Sequence, residues 1–167
     1  MMRPAATYIA LMCAALLLAT SNCTTRNSAS GTEHAADNTT GAWKRNMVES
    51  KYPTDPMSHM VMTREAIPGG IRIGGKGQRK DGGNVDYSVD VMYDGKDYPV
   101  VGVGAPYDTL AITPIAANHQ RSATKKGKYS MKGIAVVSED GKTMTVTNTG
   151  TDANGNAMNF MVLWDRQ

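Results

Sequence analysis

Aromatic residues are scarce in this chain: one phenylalanine, two tryptophans and seven tyrosines among 167 residues. A pocket for a large planar ligand would want more stacking surface, so the scarcity favours an aliphatic ligand, a small cavity or none. Of the two cysteines, Cys13 and Cys23, the first lies in a leader, which leaves at most one thiol and no internal disulfide. His34, His59 and His119 have no second ligand at suitable spacing, so no zinc or other metal site is expected. The net charge is only +3, and the one short basic run, "KKGK" at Lys125–Lys128, has a single aromatic neighbour, Tyr129. A nucleic-acid surface needs a denser basic stripe with stacking residues. No apolar run reaches the roughly 18 residues of a membrane-spanning helix.

The longest such run is Tyr8–Ala19, "YIALMCAALLLA", preceded by Arg3 and followed by small polar residues. That is the anatomy of a bacterial export signal, expected to span residues 1–21, with Ala19 and Ser21 meeting the small-x-small rule. Cys23 in "TSNC" opens a second route, lipidation at that cysteine, although Thr20 and Asn22 depart from the usual lipoprotein pattern. Either route places the protein in the periplasm or cell envelope of a bacterium, touching membrane only through a lipid on Cys23. Residues 22–40, rich in Ser, Thr, Asn and Ala, read as a flexible linker. The folded domain is then residues 41–167.

From Gly41 onward, turn signals recur at short intervals: Gly69-Gly70, Asp81 to Asn84, Asp94-Gly95, Gly104 to Pro106, Ala117 to His119, Lys126-Gly127, Asp140-Gly141 and Asn154-Gly155. Asp-Gly and Asn-Gly pairs supply the positive φ of tight hairpins. Between them the residues alternate. In "VDYSVDVMY", Val85, Tyr87, Val89, Val91 and Tyr93 face one way and Asp86, Ser88, Asp90 and Met92 the other, which is the period of a half-buried antiparallel strand. No stretch has helical periodicity. Ten runs can be counted: one near Trp43, then 57–67, 70–79, 84–93, 96–102, 107–113, 119–126, 129–138, 142–150 and 157–165. A flat meander of that many strands would expose two edges, so the expectation is an all-β, antiparallel up-and-down barrel of about eight to ten strands. In "YDGKDYPVVG", Tyr93–Gly102, Pro99 marks a place where the ladder bends or loses a donor.

"GAWKRN" at Gly41–Asn46 resembles the G-x-W opening of lipocalins, and Arg166 in "LWDRQ" stands where their closing arginine lies across that tryptophan. The ordered set "GAWKRNMVESKY", "YDGKDYPV", "YDTLAI" and "VVSEDGKTMTVTNTGTDANGNAMNF" is similar to a group of small, exported, lipocalin-like bacterial proteins of uncharacterised function, over residues 41 to 167. The resemblance implies a barrel with a cavity and a structural pair, Trp43 with Arg166. It carries over no catalytic residue and no cofactor.

The residues themselves point the same way on chemistry. The serines lack a G-x-S-x-G elbow or a base. "GGIRIGGKG", Gly69–Gly77, is followed by no helix that would bind phosphate, and its glycines read as bulges or a barrel rim. Methionine is plentiful, at twelve, with Met57, Met60 and Met62 in one run and Met131, Met144, Met158 and Met161 late in the chain. Such thioethers suit a core or the wall of an adaptable pocket. The inward, cavity-lining set is expected to be Met60, Met62, Tyr87, Val89, Val91, Leu110, Ile112, Met131, Val146 and Phe160. Any ligand should be small and apolar, with one or two polar contacts from Tyr87 or Asn148. A monomer that binds such a lipid-like ligand is the leading expectation, a filled barrel acting through its surface in the envelope the second, and an enzyme the last.

Overall fold

The computed structural model describes residues 37–53 and 56–167, so the leader and Cys23 lie outside the described residues. The described chain is all strand and turn, with no helix. Eleven strands follow in order: β1 (Gly41–Lys51), β2 (Met57–Ile67), β3 (Gly70–Arg79), β4 (Asn84–Met92), β5 (Tyr98–Pro99), β6 (Val101–Val103), β7 (Thr109–Ala116), β8 (His119–Lys126), β9 (Tyr129–Val137), β10 (Thr143–Thr151) and β11 (Ala157–Arg166). They form one sheet in the order β5-β7-β8-β9-β10-β11-β1-β2-β3-β4-β6, every pair antiparallel. The sheet curls into a nearly closed up-and-down barrel.

Closure depends on the run around Pro99. β5 and β6 are two halves of one extended segment: Tyr98 and Pro99 pair with β7, whereas Val101 to Val103 pair with β4. Between them the Val100 N–H donates to the Asp108 carbonyl at 2.9 Å. Pro99 has no N–H to give a ladder, and the chain changes partners at that point, so one broken strand serves both edges. Counted this way, ten staves make the ring.

Alternation fills the interior. In β4, Val85, Tyr87, Val89 and Val91 are buried while Asp86, Ser88 and Asp90 are exposed. The continuous core joins them to Trp43, Met60, Met62, Ile71, Ile73, Leu110, Ile112, Val137, Met144, Val162 and Trp164. Full burial of each large apolar side chain is worth about 1.5–3 kcal/mol. The glycines of "GGIRIGGKG" correct the expectation of bulges: β3 pairs in unbroken register from Gly70 to Gln78 with β4. Gly75 instead makes room, since a Cβ there would sit 2.5 Å from the ring of its cross-strand neighbour Tyr87. A real irregularity lies between Asn46 and Lys51, where β1 bulges away from β11 and leaves Val48 exposed.

One end of the barrel is sealed. Trp43 and Arg166 are directly paired on β1 and β11, and the Arg166 guanidinium lies 4.1 Å from the Trp43 ring centroid. Its three nitrogens donate to the carbonyls of Gly141, Thr40 and Asn38 at 2.5, 2.8 and 2.8 Å. Gly41 permits this twice over: its φ of 122° favours glycine, and a Cβ would fall 2.7 Å from Arg166 Nη1. Arg166→Ala should therefore lower stability by about 1–3 kcal/mol, and Arg166→Lys should recover only part, because one ammonium cannot reproduce the fork. Thermal or urea unfolding checks this; a melting temperature unchanged in the alanine variant would contradict it.

Candidate functional site

The floor of the barrel is built from the segment just before β1. Residues 37–40 were expected to belong to the linker, but they are hydrogen-bonded into the fold. Asp37 caps its own turn by accepting from the Thr39 N–H at 2.9 Å and Thr39 Oγ1 at 2.6 Å. The Asn38 N–H reaches the Ala117 carbonyl at 2.8 Å. Thr39, fully buried, accepts from Trp43 Nε1 at its carbonyl (2.9 Å) and from Arg64 Nε at its hydroxyl (3.1 Å). The composition of the segment concealed this, because its polar side chains are consumed by the barrel rather than by water.

Arg64 is the centre of the floor. It projects inward from β2 on the same face as Met60 and Met62 and is 6 % exposed. Its Nη2 donates to Gln120 Oε1 at 2.5 Å, and Gln120 Nε2 donates to Asp37 Oδ2 at 2.7 Å. The Tyr93 hydroxyl donates to the same carboxylate oxygen. Burial pulls the Arg64 pKa down, while the nearby Asp37 carboxylate pushes it back up. A cation taken out of water needs this set of acceptors and a counter-charge.

Above the floor lies a cavity of about 160 Å³. It extends from Arg64 and Gln120 to Tyr52, Pro56, Pro106, Tyr107 and Tyr129 at the opposite end. There Tyr52 and Phe160 pack at 4.2 Å between centroids, and the Arg45 guanidinium lies 5.5 Å from the Tyr52 ring. Tyr87 and Tyr107 meet edge to face at 5.9 Å, with hydroxyls 3.3 Å apart. Met60, Met62, Ile73, Leu110, Ile112, Val162 and Trp164 form much of the wall. A second hollow, about 420 Å³, lies on the outer face around Thr113, Arg121, Lys132 and Ile134. It is larger, but Arg121, Lys132 and Ile134 are exposed there, so the enclosed interior is the better candidate.

Of the ten residues expected on the wall, Met60, Met62, Tyr87, Leu110, Ile112, Val146 and Phe160 line the cavity. Val89, Val91 and Met131 are buried but do not. The two valines are packed in the core they share with Trp43, whose bulk occupies the floor end. Met131 stands between Thr124 of β8 and Gly150 of β10, covered by packed atoms. The larger correction concerns polarity. Arg45, Arg64, Gln120, Ser122, Thr124, Tyr107, Tyr129 and Asn148 also line the space, so its wall is far from uniformly apolar. The signal for the two arginines was present in the alternation: Arg45 follows the buried Trp43 by two residues, and Arg64 follows Met62 by two. His59 is exposed beside Ser58, and His119 lies against Asn118, both away from the cavity lining.

Comparison with protein-family models, curated proteins and solved structures finds no match to this chain.

Four tyrosines give the interior a pH signature. Burial raises the phenol pKa of Tyr87, Tyr107 and Tyr129, and burial together with the hydrogen bond to Asp37 raises that of Tyr93. A folded-state pKa above the free value of about 10 means that the stabilisation is whole below that pH and is lost as the pH rises past it, when the unfolded chain ionises first. The melting temperature should hold to about pH 9 and fall steeply above about 10, with tyrosinate absorbance appearing together with unfolding. Full tyrosine titration near pH 10 in a still-folded protein would contradict this.

Proposed function

We propose that the protein is an exported, lipocalin-like barrel that binds one small amphipathic molecule in its interior. The observation that carries the reading is the interior cavity, closed at its floor and open at its mouth, with methionine and aliphatic walls interrupted by polar groups. Ligand sites are typically concave and mostly apolar, with a few placed polar groups. The size limits the ligand: an apolar cavity of about 150 Å³ admits one benzene, and many drug-sized pockets exceed about 300 Å³. A compact molecule fills that space, whereas a long chain would have to project from the mouth. The Gly41, Trp43 and Arg166 arrangement and the leader built on Arg3 and Tyr8–Ala19 support the lipocalin-like, exported assignment, with lipidation at Cys23 as its anchored form.

Native mass spectrometry of the protein purified from its own host envelope tests both parts at once. The expected spectrum shows a chain lacking residues 1–21, or a diacylglyceryl mass on Cys23, together with a non-covalent adduct of single-ring size. A ligand at about 100 times its Kd would also stabilise the fold by about 2.7 kcal/mol. An adduct-free protein with no saturable thermal shift against a small-molecule panel would instead favour the filled barrel that works through its surface.

A further inference from the structure

We infer that the ligand is a single-ring compound bearing oxygen substituents along one edge, seated with that edge against β8 and β10. The inference rests on the cavity-binding reading and names the ligand class for that same site.

The polar groups of the wall are not gathered at one end, as a fatty-acid head would require. Besides Arg45, Arg64 and the tyrosines, a row of neutral polar groups runs from floor to mouth on β8 and continues to Asn148 on β10. The inward residues of β8 are Gln120, Ser122 and Thr124, spaced by two from floor to mouth, and all three line the cavity. On β9 the positions paired with Gln120 and Ser122 are small, Ala135 and Gly133, and Thr124 is paired with Met131. A Cβ at Gly133 would lie 2.4 Å from Ser122 Oγ and 2.8 Å from Asn148 Oδ1. The missing side chain thus lets a hydroxyl from β8 and a carboxamide from β10 converge over the same backbone position, which is paired with both of them.

The facing wall carries methionine above the Arg64 floor, with Arg45 of β1 beside it toward the mouth. In the ring, β8 and β2 are five steps apart of ten, passing β9, β10, β11 and β1. The Arg64–Gln120 bond shows directly that these strands face each other at the floor. One turn of alternation above it, Met62 and Met60 of β2 stand on the wall across from Ser122 and Thr124, with Ile73 of β3 beside them, while Leu110 and Ile112 of β7 pair directly with Thr124 and Ser122.

The floor groups are already committed. Arg64 holds Thr39 and Gln120, and Gln120 holds Asp37. By contrast, the Asn148 amide donates only a long hydrogen bond to the Val146 carbonyl, at 3.4 Å. A plain alkyl chain would cover Ser122 and Asn148 without satisfying them, and an unmade buried hydrogen bond costs about tenfold or more in affinity. A fully hydroxylated ring would press polar groups on Met60 and Met62. A ring with one oxygenated edge matches both sides, and one ring is also what the volume holds.

Isothermal titration calorimetry of the mature chain with resorcinol, toluene and octanoate decides the matter. Resorcinol should bind about tenfold or more tightly than toluene, and octanoate more weakly than resorcinol. Ser122→Ala and Asn148→Ala should each erase most of the resorcinol preference while leaving toluene within about twofold. Gly133→Ala, which displaces both polar groups, should do the same. Saturable octanoate binding with none by the rings would overturn this inference while sparing the cavity-binding reading. Equal loss of resorcinol and toluene in the variants would also overturn it. Absence of saturable binding by all three probes would overturn both.

Discussion

A guanidinium buried across the inside of a barrel is the constraint on which the rest of this structure depends. Arg64 cannot be left without acceptors in a low-dielectric interior, because an uncompensated buried charge costs several kcal/mol. Its partners come from distant parts of the chain: Thr39 before β1 and Gln120 on β8, with Asp37 and Tyr93 completing the set. Satisfying one side chain therefore ties the entry segment to β2, to β8 and to Tyr93 just past the end of β4, and draws opposite walls of the barrel together at one end. Trp43 and Arg166 finish the seal from the β1–β11 seam.

The seal explains why a cavity exists at all. With the floor fixed by polar contacts and the bulky Trp43, the side chains above it need not reach across the full width. In the middle of β9 the inward positions are Gly133 and Ala135, and around the remaining space Gln120, Ser122, Thr124 and Asn148 of β8 and β10 stand across from the methionines of β2. Methionine suits such a wall, being flexible enough to follow a ligand's outline. At the other end, Tyr52, Tyr107, Tyr129 and Phe160 crowd the entrance, four of the ten aromatics the chain has.

Much of this was legible in the residues. The alternation in β4 gave its buried face directly, the Asp-Gly turns gave the meander, and Pro99 marked the point where the strand changes partners. What was not legible has physical reasons. Cavity residues chosen for being apolar omit Arg45 and Arg64, although position parity from Trp43 and Met62 places both inward. β8, "HQRSATKK", has no apolar period, so only its register with β7 and β9 shows which face is inside. Residues 37–40 look like linker because their value lies in hydrogen bonds to side chains some 25 to 83 residues away. Val89, Val91 and Met131 face inward as expected, yet direction alone does not say where packing ends and empty space begins.

The central claim, that the cross-barrel contact holds the floor and so the cavity, is tested most directly by a double-mutant cycle on Arg64→Met and Gln120→Leu, read by urea unfolding. Each single change should be costly, with Gln120→Leu stranding the buried cation, and the double variant should recover much of the loss, giving a coupling energy above about 1.5 kcal/mol. Additive losses, with coupling below about 0.5 kcal/mol, would contradict the account.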